Sequence, residues 1–406
     1  MYHSISSIQT ILRNFEIDAW AMYDFRGINS IAWKVLGLKA DAHCTRRFMV
    51  VIPKTGRAVK IVSRIEAHTL AHVDADEIPY SSHEEWHDAM AQIVRRFPRL
   101  AMEYSPNNDI PVASKVDAGT LESLRELGAE ISSSADITQH CTAVMKASEL
   151  DSTLRGADAL RRCMQSGLEF LRRELAGKRS TTEYAVQQHI MATMRELDLE
   201  TDHAPIVAIG PHAANPHYAP QENDSANILP GDVVLLDMWA RPAHESGFYS
   251  DITWMAFAGE ELPKRPQQLF SVIAQARDAV IEHLNDKIPA GETVRGFELD
   301  DIARRIVSEA GYGTAFVHRT GHSITRETHG SGANLDNFET HDTREILPGT
   351  TFSIEPGIYL PNDIGLRTEV DIVIMPDRKV VVSGGPAQKA MVLLMGAPFD
   401  ITTTSI

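Results

Sequence analysis

The 406-residue sequence has few cysteines and no long hydrophobic run, and each absence limits what the protein can be. Its three cysteines form no Cys-x-x-Cys pair and leave an odd number, so a framework of disulfide bonds is not expected. No apolar stretch approaches the ~18 residues that a membrane-spanning helix needs. The N-terminus lacks the basic start and apolar segment of a signal peptide. These features predict a cytoplasmic protein without a membrane partner.

Basic side chains are scarce relative to acidic ones. The sequence has 39 Lys and Arg residues against 55 Asp and Glu, which gives a formal net charge of −16. Because a phosphate backbone is bound by a concentrated basic surface, no nucleic-acid partner is expected. The nucleotide-binding motifs GxGxxG and GxxxxGK(S/T) are missing, as is the HExxH motif of helix-borne zinc sites. The composition is that of a globular protein, and the length allows two or three domains.

Residues 1–145 alternate between helical and strand-like patterns. Ile8–Phe15 and Glu84–Phe97 have apolar residues at helical spacing, which predicts two helices. Phe48–Ile52 and Val59–Val62 flank a Lys-Thr-Gly turn and predict a β-hairpin. We therefore predict an N-terminal domain, residues 1–145, in which helices cover a sheet.

The order of predicted elements repeats within residues 146–406. A long helix ends near Gly177, and Ser180-Thr-Thr-Glu183 is typical of a capping box that begins a second helix. Strands and then two more helices and further strands follow. The later helices are Gln267–Leu284 and Phe297–Ala310, and the predicted strands are Pro205–Ile209, Val233–Trp239, Tyr249–Phe257, a segment near Val317, Phe352–Tyr359 and Leu366–Met375. This order predicts a second domain with an internal repeat and a mixed α/β fold class.

Two pairs of carboxylates occur at one spacing in strand-like segments. Asp237 and Asp251 are fourteen residues apart, and so are Glu355 and Glu369. His322 lies between the two pairs in the chain. A turn lies midway between the second pair, so its acids could face each other across a ladder. Acids are uncommon in strands and costly to bury unless a positive charge compensates them.

Together these residues favour a metal centre over separate structural roles. Taken singly, each acid is more often a strand-end cap or half of a salt bridge. Four carboxylates and an imidazole supply mostly oxygen donors, a set that suits Mn²⁺, Fe²⁺, Co²⁺ or Zn²⁺ and could bridge two ions. The loop histidines His217 and His329 are further candidates, although an isolated loop histidine is usually only a hydrogen-bonding residue.

Several segments carry these residues in a distinctive order: PIVAIGPHAANPH, DVVLLD followed by YSDIT, HRTGHSITRETH, FSIEPGIYLP and GLRTEVDI. In order, spacing and chemistry they resemble the creatinase/aminopeptidase P/prolidase family of pita-bread metallopeptidases. The resemblance implies a creatinase-like N-terminal domain followed by a pita-bread catalytic domain with a pseudo-twofold repeat. It also implies a homodimer and two divalent ions per chain, with Mn²⁺ expected first and Co²⁺, Zn²⁺ or Fe²⁺ as alternatives.

The resemblance also implies roles for individual residues. The positions that match the family's metal ligands are Asp237, Asp251, His322, Glu355 and Glu369. Asp251 and Glu369 would bridge the two ions, and Glu355 matches the base that takes a proton from the attacking water. His217 and His329 match two histidines that hold the scissile carbonyl and help to protonate the leaving nitrogen.

Three further residues are candidates for supporting the site. Arg367 resembles an arginine that orients a ligand carboxylate. His318 precedes the ligand histidine by four residues, and we expect it to contact the metal ligands without binding the metal itself. Arg326 stands where the family has an apolar residue. It could form a salt bridge with Glu327 or Glu339, or it could bind a substrate carboxylate through its guanidinium fork.

The predicted activity is hydrolysis of Xaa-Pro bonds in short peptides by a water or hydroxide that bridges two metal ions. The first acidic hairpin is longer than is usual in the family and contains Trp239, Arg241 and His244, which could reshape the pocket mouth. One alternative is therefore a non-peptidase of the same fold: a hydrolase of a small amide or other C–N substrate, or a metal-dependent lyase acting on a small carboxylate such as dimethylsulfoniopropionate. The other is a non-catalytic binding module, although such relatives have lost the acids that this chain retains.

Overall fold

The computed structural model describes residues 3–39, 41–244 and 247–402. The chain divides into two compact units, Met1–Thr142 and Ala143–Ile406. Each unit combines β-sheet and helices, which confirms the predicted mixed α/β fold class. Within the three described ranges, every helix is too short or too polar to cross a bilayer.

A six-stranded sheet forms the centre of the first unit. Its strands are β1 (Ala19–Asp24), β2 (Phe48–Pro53), β3 (Val59–Ser63), β4 (Asp76–Tyr80), β5 (Arg99–Met102) and β6 (Glu130–Ser133), in the order β4-β3-β2-β1-β5-β6. The first three strands are antiparallel neighbours, and the others are added in parallel. The predicted hairpin is confirmed as β2 and β3. β1 is buried along its whole length, as expected for a strand covered on both faces.

Helices pack on both faces of this sheet. They are α1 (Ile5–Leu12), α2 (Ser30–Leu36), α3 (His83–Arg96), α4 (Ala118–Glu126) and α5 (Ala135–Thr142). Trp86 and Leu124 belong to a hydrophobic cluster with Tyr23, whereas Ile8 belongs to another with Trp20. Residues of opposite parity in a strand point to opposite faces, so β1 contributes to both clusters. Both predicted helices are present, the first of them three residues earlier than expected.

The second unit repeats an order of two helices followed by strands. Its helices are α6 (Ala147–Ala176), α7 (Glu183–Glu196), α8 (Gly210–Ala213), α9 (Lys264–Lys287) and α10 (Gly296–Glu309). Its strands are β7 (Thr181–Thr182), β8 (Leu199–Glu200), β9 (Ile206–Ile209), β10 (Asn227–Ile228), β11 (Val233–Pro242), β12 (Ser250–Phe257), β13 (Ser323–Ile324), β14 (Thr351–Ile354), β15 (Gly357–Leu360), β16 (Ile364–Arg367), β17 (Val370–Ile374), β18 (Val380–Val382) and β19 (Val392–Leu393). Helices α6 and α7 precede β9, β11 and β12, as α9 and α10 precede β13, β14 and β17.

Two main sheets lie in this unit. In one, β11 pairs with β8, β9 and β12, and β19 adds to β12. The other has the order β13-β14-β17-β18, while β15 and β16 form a separate hairpin. A hydrophobic cluster that includes Leu235, Phe270, Leu299 and Ile372 joins both sheets to α9 and α10. The same apolar core therefore supports both acidic segments.

The second acidic hairpin is interrupted at its acids. Each of its two predicted strands is divided: β14 and β15 are separated by Glu355 and Pro356, and β16 and β17 by Thr368 and Glu369. Pro356 has no amide hydrogen to contribute to a ladder. Glu355 donates its N–H to the Thr320 carbonyl instead. Both acids of the second pair therefore lie at a break in the ladder.

The strand predicted near Val317 is absent. The Arg304 guanidinium donates hydrogen bonds to the carbonyl oxygens of Phe316 and His318, at 3.1 and 2.8 Å. The carbonyl oxygens of this segment are therefore hydrogen-bonded to a side chain and not to a neighbouring strand. Val317 itself is 48% exposed.

The predicted capping box at the start of α7 is also wrong. Thr182, rather than Ser180, is the N-cap, and its side chain accepts from the Ala185 amide. Thr181 and Thr182 pair with β10, so the chain leaves the extended conformation only after Thr182. Glu183 becomes the first helical residue and is completely buried.

Replacing Gly365 with Ala is expected to destabilise the second unit. An added Cβ would lie 1.7 Å from the Ala213 carbonyl oxygen and 2.2 Å from its carbon, and both are backbone atoms that cannot rotate away. We expect a loss of about 2–3 kcal/mol in the free energy of unfolding, measured by urea denaturation. Gly119→Ala is the matched control, because its Cβ would meet no atom closer than 3.4 Å. Equal losses in the two variants would contradict the packing argument.

Candidate metal centre

A cavity of about 430 Å³ in the second unit brings the predicted site residues together. Its charged and histidine side chains are His217, Asp237, Asp251, His318, Arg319, His322, His329, Glu339, Glu355, Arg367 and Glu369, and its other lining residues are Ile206, Pro216, Trp239, Val317 and Thr328. Every predicted site residue except Arg326 therefore lines one cavity. A larger cavity of about 570 Å³ lies along α9 but contains no histidine, so size alone does not identify the site.

The two acid pairs enter this cavity with different strand registers. On β11 and β12, Asp237 is opposite Thr253, so Asp237 and Asp251 share a face but are offset by two residues. The second pair has no offset, because the ladders on either side of it place Glu355 opposite Glu369. Equal spacing in the sequence thus produces one diagonal pair and one directly opposed pair.

Hydrogen bonds between the two sheets bring the pairs together. The Glu369 amide donates to the Thr253 carbonyl at 3.1 Å, and the Thr253 hydroxyl donates to Glu369 Oε2 at 2.7 Å. The Asp251 amide donates to Asp371 Oδ2 at 2.7 Å. Neither Thr253 nor Asp371 was predicted from the sequence as a site residue. The alternation Glu369-Val-Asp371 was the available signal for the latter, since residues two apart in a strand share a face.

His322 reaches the same cavity from the segment beside β14. The Ser353 amide donates to the His322 carbonyl at 2.9 Å, which aligns this segment with the strand. His322 Nε2 lies 3.7 Å from Asp251 Oδ2 and 3.5 Å from Glu355 Oε1. One ligand atom from each of Asp251, His322 and Glu369 lies within 4.8 Å of the others. Asp237 and Glu355 border this group of three.

Buried negative charge dominates the electrostatics of the cavity. Burial and the neighbouring carboxylates raise the pKa of Asp251 and of Glu369 well above ordinary values, and burial raises the pKa of Glu355 to about 7. Burial lowers the pKa of His322, which favours the neutral imidazole that binds metals. The Oδ1 atoms of Asp237 and Asp251 are buried without a hydrogen-bond partner. Such oxygens are costly unless a cation binds them, so this donor set fits divalent ions.

Arg367 is fully engaged in holding one acid and its neighbours. Its Nη2 is 2.5 Å from Asp237 Oδ2. Its Nε donates to the Thr253 hydroxyl at 3.1 Å, and its Nη1 donates to the Tyr359 hydroxyl at 2.8 Å. The guanidinium therefore connects Asp237 to the residue that also holds the second acid pair, as expected for a group that orients a ligand carboxylate.

His318 contacts Tyr359, whose hydroxyl also accepts a hydrogen bond from Arg367. Its Nδ1 is 2.7 Å from the Arg319 carbonyl oxygen and its Nε2 is 2.8 Å from the Tyr359 hydroxyl. Because a carbonyl can only accept, Nδ1 carries the proton and the tyrosine donates to Nε2. Burial and the Arg367 charge lower the pKa of His318 to about 3, which keeps the ring neutral. Tyr359 is a further residue that our sequence analysis missed.

The two predicted substrate-facing histidines remain exposed at the cavity. The His329 ring centroid is 4.5 Å from that of His322. Partial burial and the charges of Arg319 and His217 lower the pKa of His329. His217 is placed by its own backbone amide, which donates to Asn215 Oδ1 at 3.1 Å. In the described part of the chain neither imidazole ring forms a hydrogen bond, so both can contact a ligand.

A buried glutamate at the start of α7 holds the loop that carries His217. Glu183 accepts from the Ile209 amide at 2.9 Å and from the Tyr218 hydroxyl at 2.7 Å. His212 Nδ1 is 2.9 Å from the same carboxylate. These bonds fix the chain on both sides of His217. The sequence analysis assigned Glu183 to a capping box, and its partners lie too far away in the chain to be recognised by local spacing.

Arg326 is placed away from the cavity lining. Its Nη2 is 2.6 Å from Oε1 of Glu149, in the first turn of α6, and the Glu149 side chain is only 2% exposed. The expected partners were Glu327 and Glu339, and the ion pair with Glu149 was not predicted from the sequence. The ion pair also occupies the guanidinium that the sequence suggested for a substrate carboxylate. The two residues are 177 positions apart, which explains why local sequence could not identify the pair.

The longer first hairpin becomes part of the sheet. Arg241 on β11 pairs with Glu200 on β8, both through the ladder and through an ion pair of 2.7 Å. Trp239 lines the cavity, and its ring N–H donates to Asp202 at 2.7 Å. His244 adopts a left-handed backbone conformation at the turn, with φ of 63°. Residues 245 and 246 of this loop lie outside the described ranges. The first acidic hairpin thus places a tryptophan at the cavity wall.

Similarity to known proteins agrees with this arrangement. An uncharacterized peptidase of Staphylococcus aureus (strain MRSA252) is 29% identical over 227 residues, which are 56% of this chain and 58% of that protein. The match therefore spans little more than half the length of such curated relatives.

Solved structures with the same fold include proteins of different kinds. The dipeptidase PepE from Mycobacterium ulcerans has a TM-score of 0.69 and 21% identity, covering 96% of each chain. The Xaa-Pro dipeptidase from Bacillus anthracis has a TM-score of 0.61 and 21% identity, covering 96% of this chain and 98% of that chain. The N-terminal domain of FACT complex subunit SPT16 from Cicer arietinum has a TM-score of 0.64 and 14% identity, covering 96% of this chain and 99% of that chain. Such low identities show the fold alone, and they confirm the predicted pita-bread architecture.

A sequence model of metallopeptidase family M24 matches residues 152–376, more than half of the chain. This range includes every residue that lines the 430 Å³ cavity. The match confirms the resemblance to the creatinase/aminopeptidase P/prolidase proteins. It also places the acids and histidines of the cavity within a family of metal-dependent peptidases. The chain belongs to metallopeptidase family M24.

Proposed function

We propose that the protein cleaves Xaa-Pro amide bonds of short peptides, using two divalent ions bound in the cavity. One observation carries the proposal: buried acids and a neutral histidine surround one cavity, and two of the carboxylate oxygens have no partner. Family membership supports peptidase chemistry. The preference for Xaa-Pro bonds is supported by the sequence resemblance and by the Bacillus anthracis protein of similar fold, which is an Xaa-Pro dipeptidase.

The proposed metal ligands line the cavity and include the two aspartates whose Oδ1 atoms have no hydrogen-bond partner. They are Asp237, Asp251, His322, Glu355 and Glu369. When bound, two ions would polarise the scissile carbonyl and lower the pKa of a water molecule. Mn²⁺ is expected first, although carboxylate-rich sites also accept Co²⁺, Zn²⁺ and Fe²⁺. We further propose a cytoplasmic location, which the low cysteine content supports, and a homodimer, which the sequence resemblance implies.

Glu355 is the acid best placed to take a proton from the attacking water. Its side chain is 15% exposed, against 7% for Asp251 and 8% for Asp237, so water reaches it most readily. The Ser353 hydroxyl donates to Oε1 at 3.2 Å and orients the group. A positioned carboxylate of this kind is a suitable general base.

His217 and His329 are proposed to contact the substrate. Their rings are exposed at the cavity and are not engaged by the described protein groups. A neutral imidazole can donate a hydrogen bond to the scissile carbonyl oxygen, where negative charge develops during attack. The proton that Glu355 takes from the water is available for the leaving nitrogen, and one of these imidazoles could relay it. The lowered pKa of His329 is consistent with the neutral form in the free protein.

A binding-module function is the weaker candidate. The similarity to the SPT16 domain concerns the fold, and a shared fold does not imply a shared activity. The retained carboxylates, histidines and supporting Arg367 favour catalysis, because a binding module has no need to maintain repelling acids in a buried cavity.

Metal binding is the first test of the proposal. Adding Mn²⁺ to metal-stripped protein should raise the melting temperature, because a ligand at 100 times its Kd stabilises the folded state by about 2.7 kcal/mol. Metal analysis should give two ions per chain. Asp251→Asn should lose this stabilisation, whereas Asp88→Asn, an exposed acid of α3, should retain it. Protein that binds none of Mn²⁺, Co²⁺, Zn²⁺ or Fe²⁺ would refute the proposal.

Replacing Glu355 with Gln should abolish measurable turnover of an Xaa-Pro dipeptide panel while the fold remains intact. Removal of a general base lowers kcat by about 10²–10⁴-fold. Steady-state kinetics of the Mn²⁺-loaded protein give the rates, and circular dichroism reports the fold. Glu309→Gln, at the exposed end of α10, is the matched control and should keep the wild-type rate. A Glu355→Gln variant with a near-normal rate would contradict the assigned role.

A further inference from the structure

We propose that Arg319 binds the free carboxylate of the substrate, so that the protein acts on dipeptides rather than on the ends of longer peptides. This inference rests on the proposed peptidase function and adds a substrate class to it. It also gives the carboxylate-binding role to a residue that our sequence analysis did not consider, in place of Arg326.

Arg319 is held in place by its backbone. Its amide donates to Glu339 Oε1 at 3.1 Å, and its carbonyl accepts from His318 Nδ1 at 2.7 Å. The next residue, Thr320, donates its amide to Asp300 Oδ1 at 2.9 Å. The Cα of Arg319 therefore has a defined position at the cavity wall, three residues before His322.

The guanidinium of Arg319 is available, unlike those of the neighbouring arginines. Arg367 is bound to Asp237, Arg326 to Glu149, and Arg304 to Asp300. Within the described ranges, the Arg319 guanidinium forms no hydrogen bond or ion pair, although the residue is half-buried. Arginines withdrawn from water are usually paired. The Arg319 side chain instead lines the cavity without a partner among the described protein groups.

The charge of Arg319 acts directly on the proposed catalytic groups. It lowers the pKa of His329 and contributes to the lowered pKa of His322. It also opposes the effect of burial on the pKa of Glu355. Arg319 is therefore electrostatically part of the site, which agrees with its place in the cavity lining.

A carboxylate is the anion that suits this position. Guanidinium presents a planar fork of N–H donors that matches a carboxylate with two parallel hydrogen bonds. A cavity of about 430 Å³ is in the range that accommodates a small ligand such as a dipeptide. In a dipeptide the carboxylate directly follows the residue after the scissile bond. In a longer peptide that position is an uncharged amide, which cannot form the same pair.

The test compares alanylproline with alanylprolinamide, which differ only in this carboxylate. The Mn²⁺-loaded wild-type protein should prefer the acid by about 10–100-fold in kcat/KM, as expected for a charge-assisted pair. Arg319→Gln should lose this preference, mainly through a higher KM for the acid. The lost charge also alters the pKa of His329 and of Glu355, so turnover of the amide should change too, but by a smaller factor than turnover of the acid. Arg319→Lys should retain part of the preference, because it keeps the charge but loses the fork. Arg305→Gln, exposed on α10, is the control and should behave as wild type.

Two outcomes would overturn the inference. An unchanged acid-to-amide ratio in Arg319→Gln would show that another group binds the carboxylate. Equal proportional losses for both substrates in Arg319→Gln would show that the Arg319 side chain supports the site as a whole and does not bind the substrate carboxylate.

Binding measured by calorimetry separates this inference from the proposed function. Tighter binding of the acid than of the amide, lost in Arg319→Gln, supports the inference even if neither compound is cleaved, in which case only the proposed peptidase activity fails. Equal binding of the acid by wild type and Arg319→Gln contradicts the inference, whatever the rates of cleavage are.

Discussion

The site depends on holding several carboxylates close together out of water, an arrangement that is unfavourable without cations. The protein maintains it through bonds between its two sheets, chiefly Glu369 to Thr253 and Asp251 to Asp371. The apolar cluster that joins both sheets to α9 and α10 supplies the stability that offsets this repulsion. Divalent ions would remove the repulsion, so metal binding and stability are coupled in this unit.

Two arginines at the cavity have different positions and different consequences. Arg367 is buried, and each of its three nitrogens donates to a neighbour, Asp237, Thr253 or Tyr359, so its main role is to orient a carboxylate. Arg319 is fixed through its backbone and keeps its guanidinium available. His318 links the two, since it contacts Tyr359 with one ring nitrogen and the Arg319 carbonyl with the other.

The fold carries less functional information than the cavity. Dipeptidases and a domain of a FACT complex subunit share this architecture with the chain at comparable TM-scores. What favours catalysis here is the retained set of acids and the supporting bonds behind them. Under the proposals above, selectivity depends on residues at the cavity wall, such as Trp239 and Arg319.

The sequence by itself indicated the mixed α/β fold class, the family and most of the acids and histidines that line the cavity, because periodicity and motif spacing are local properties of the chain. Tertiary structure decided what depends on distant contacts. Two equal spacings became a diagonal pair on β11–β12 and an opposed pair at Glu355 and Glu369, since register follows the turn and the neighbouring strands. Likewise, only packing against Glu149 removed Arg326 from the cavity lining and left Arg319 as the unpaired cation there among the described residues.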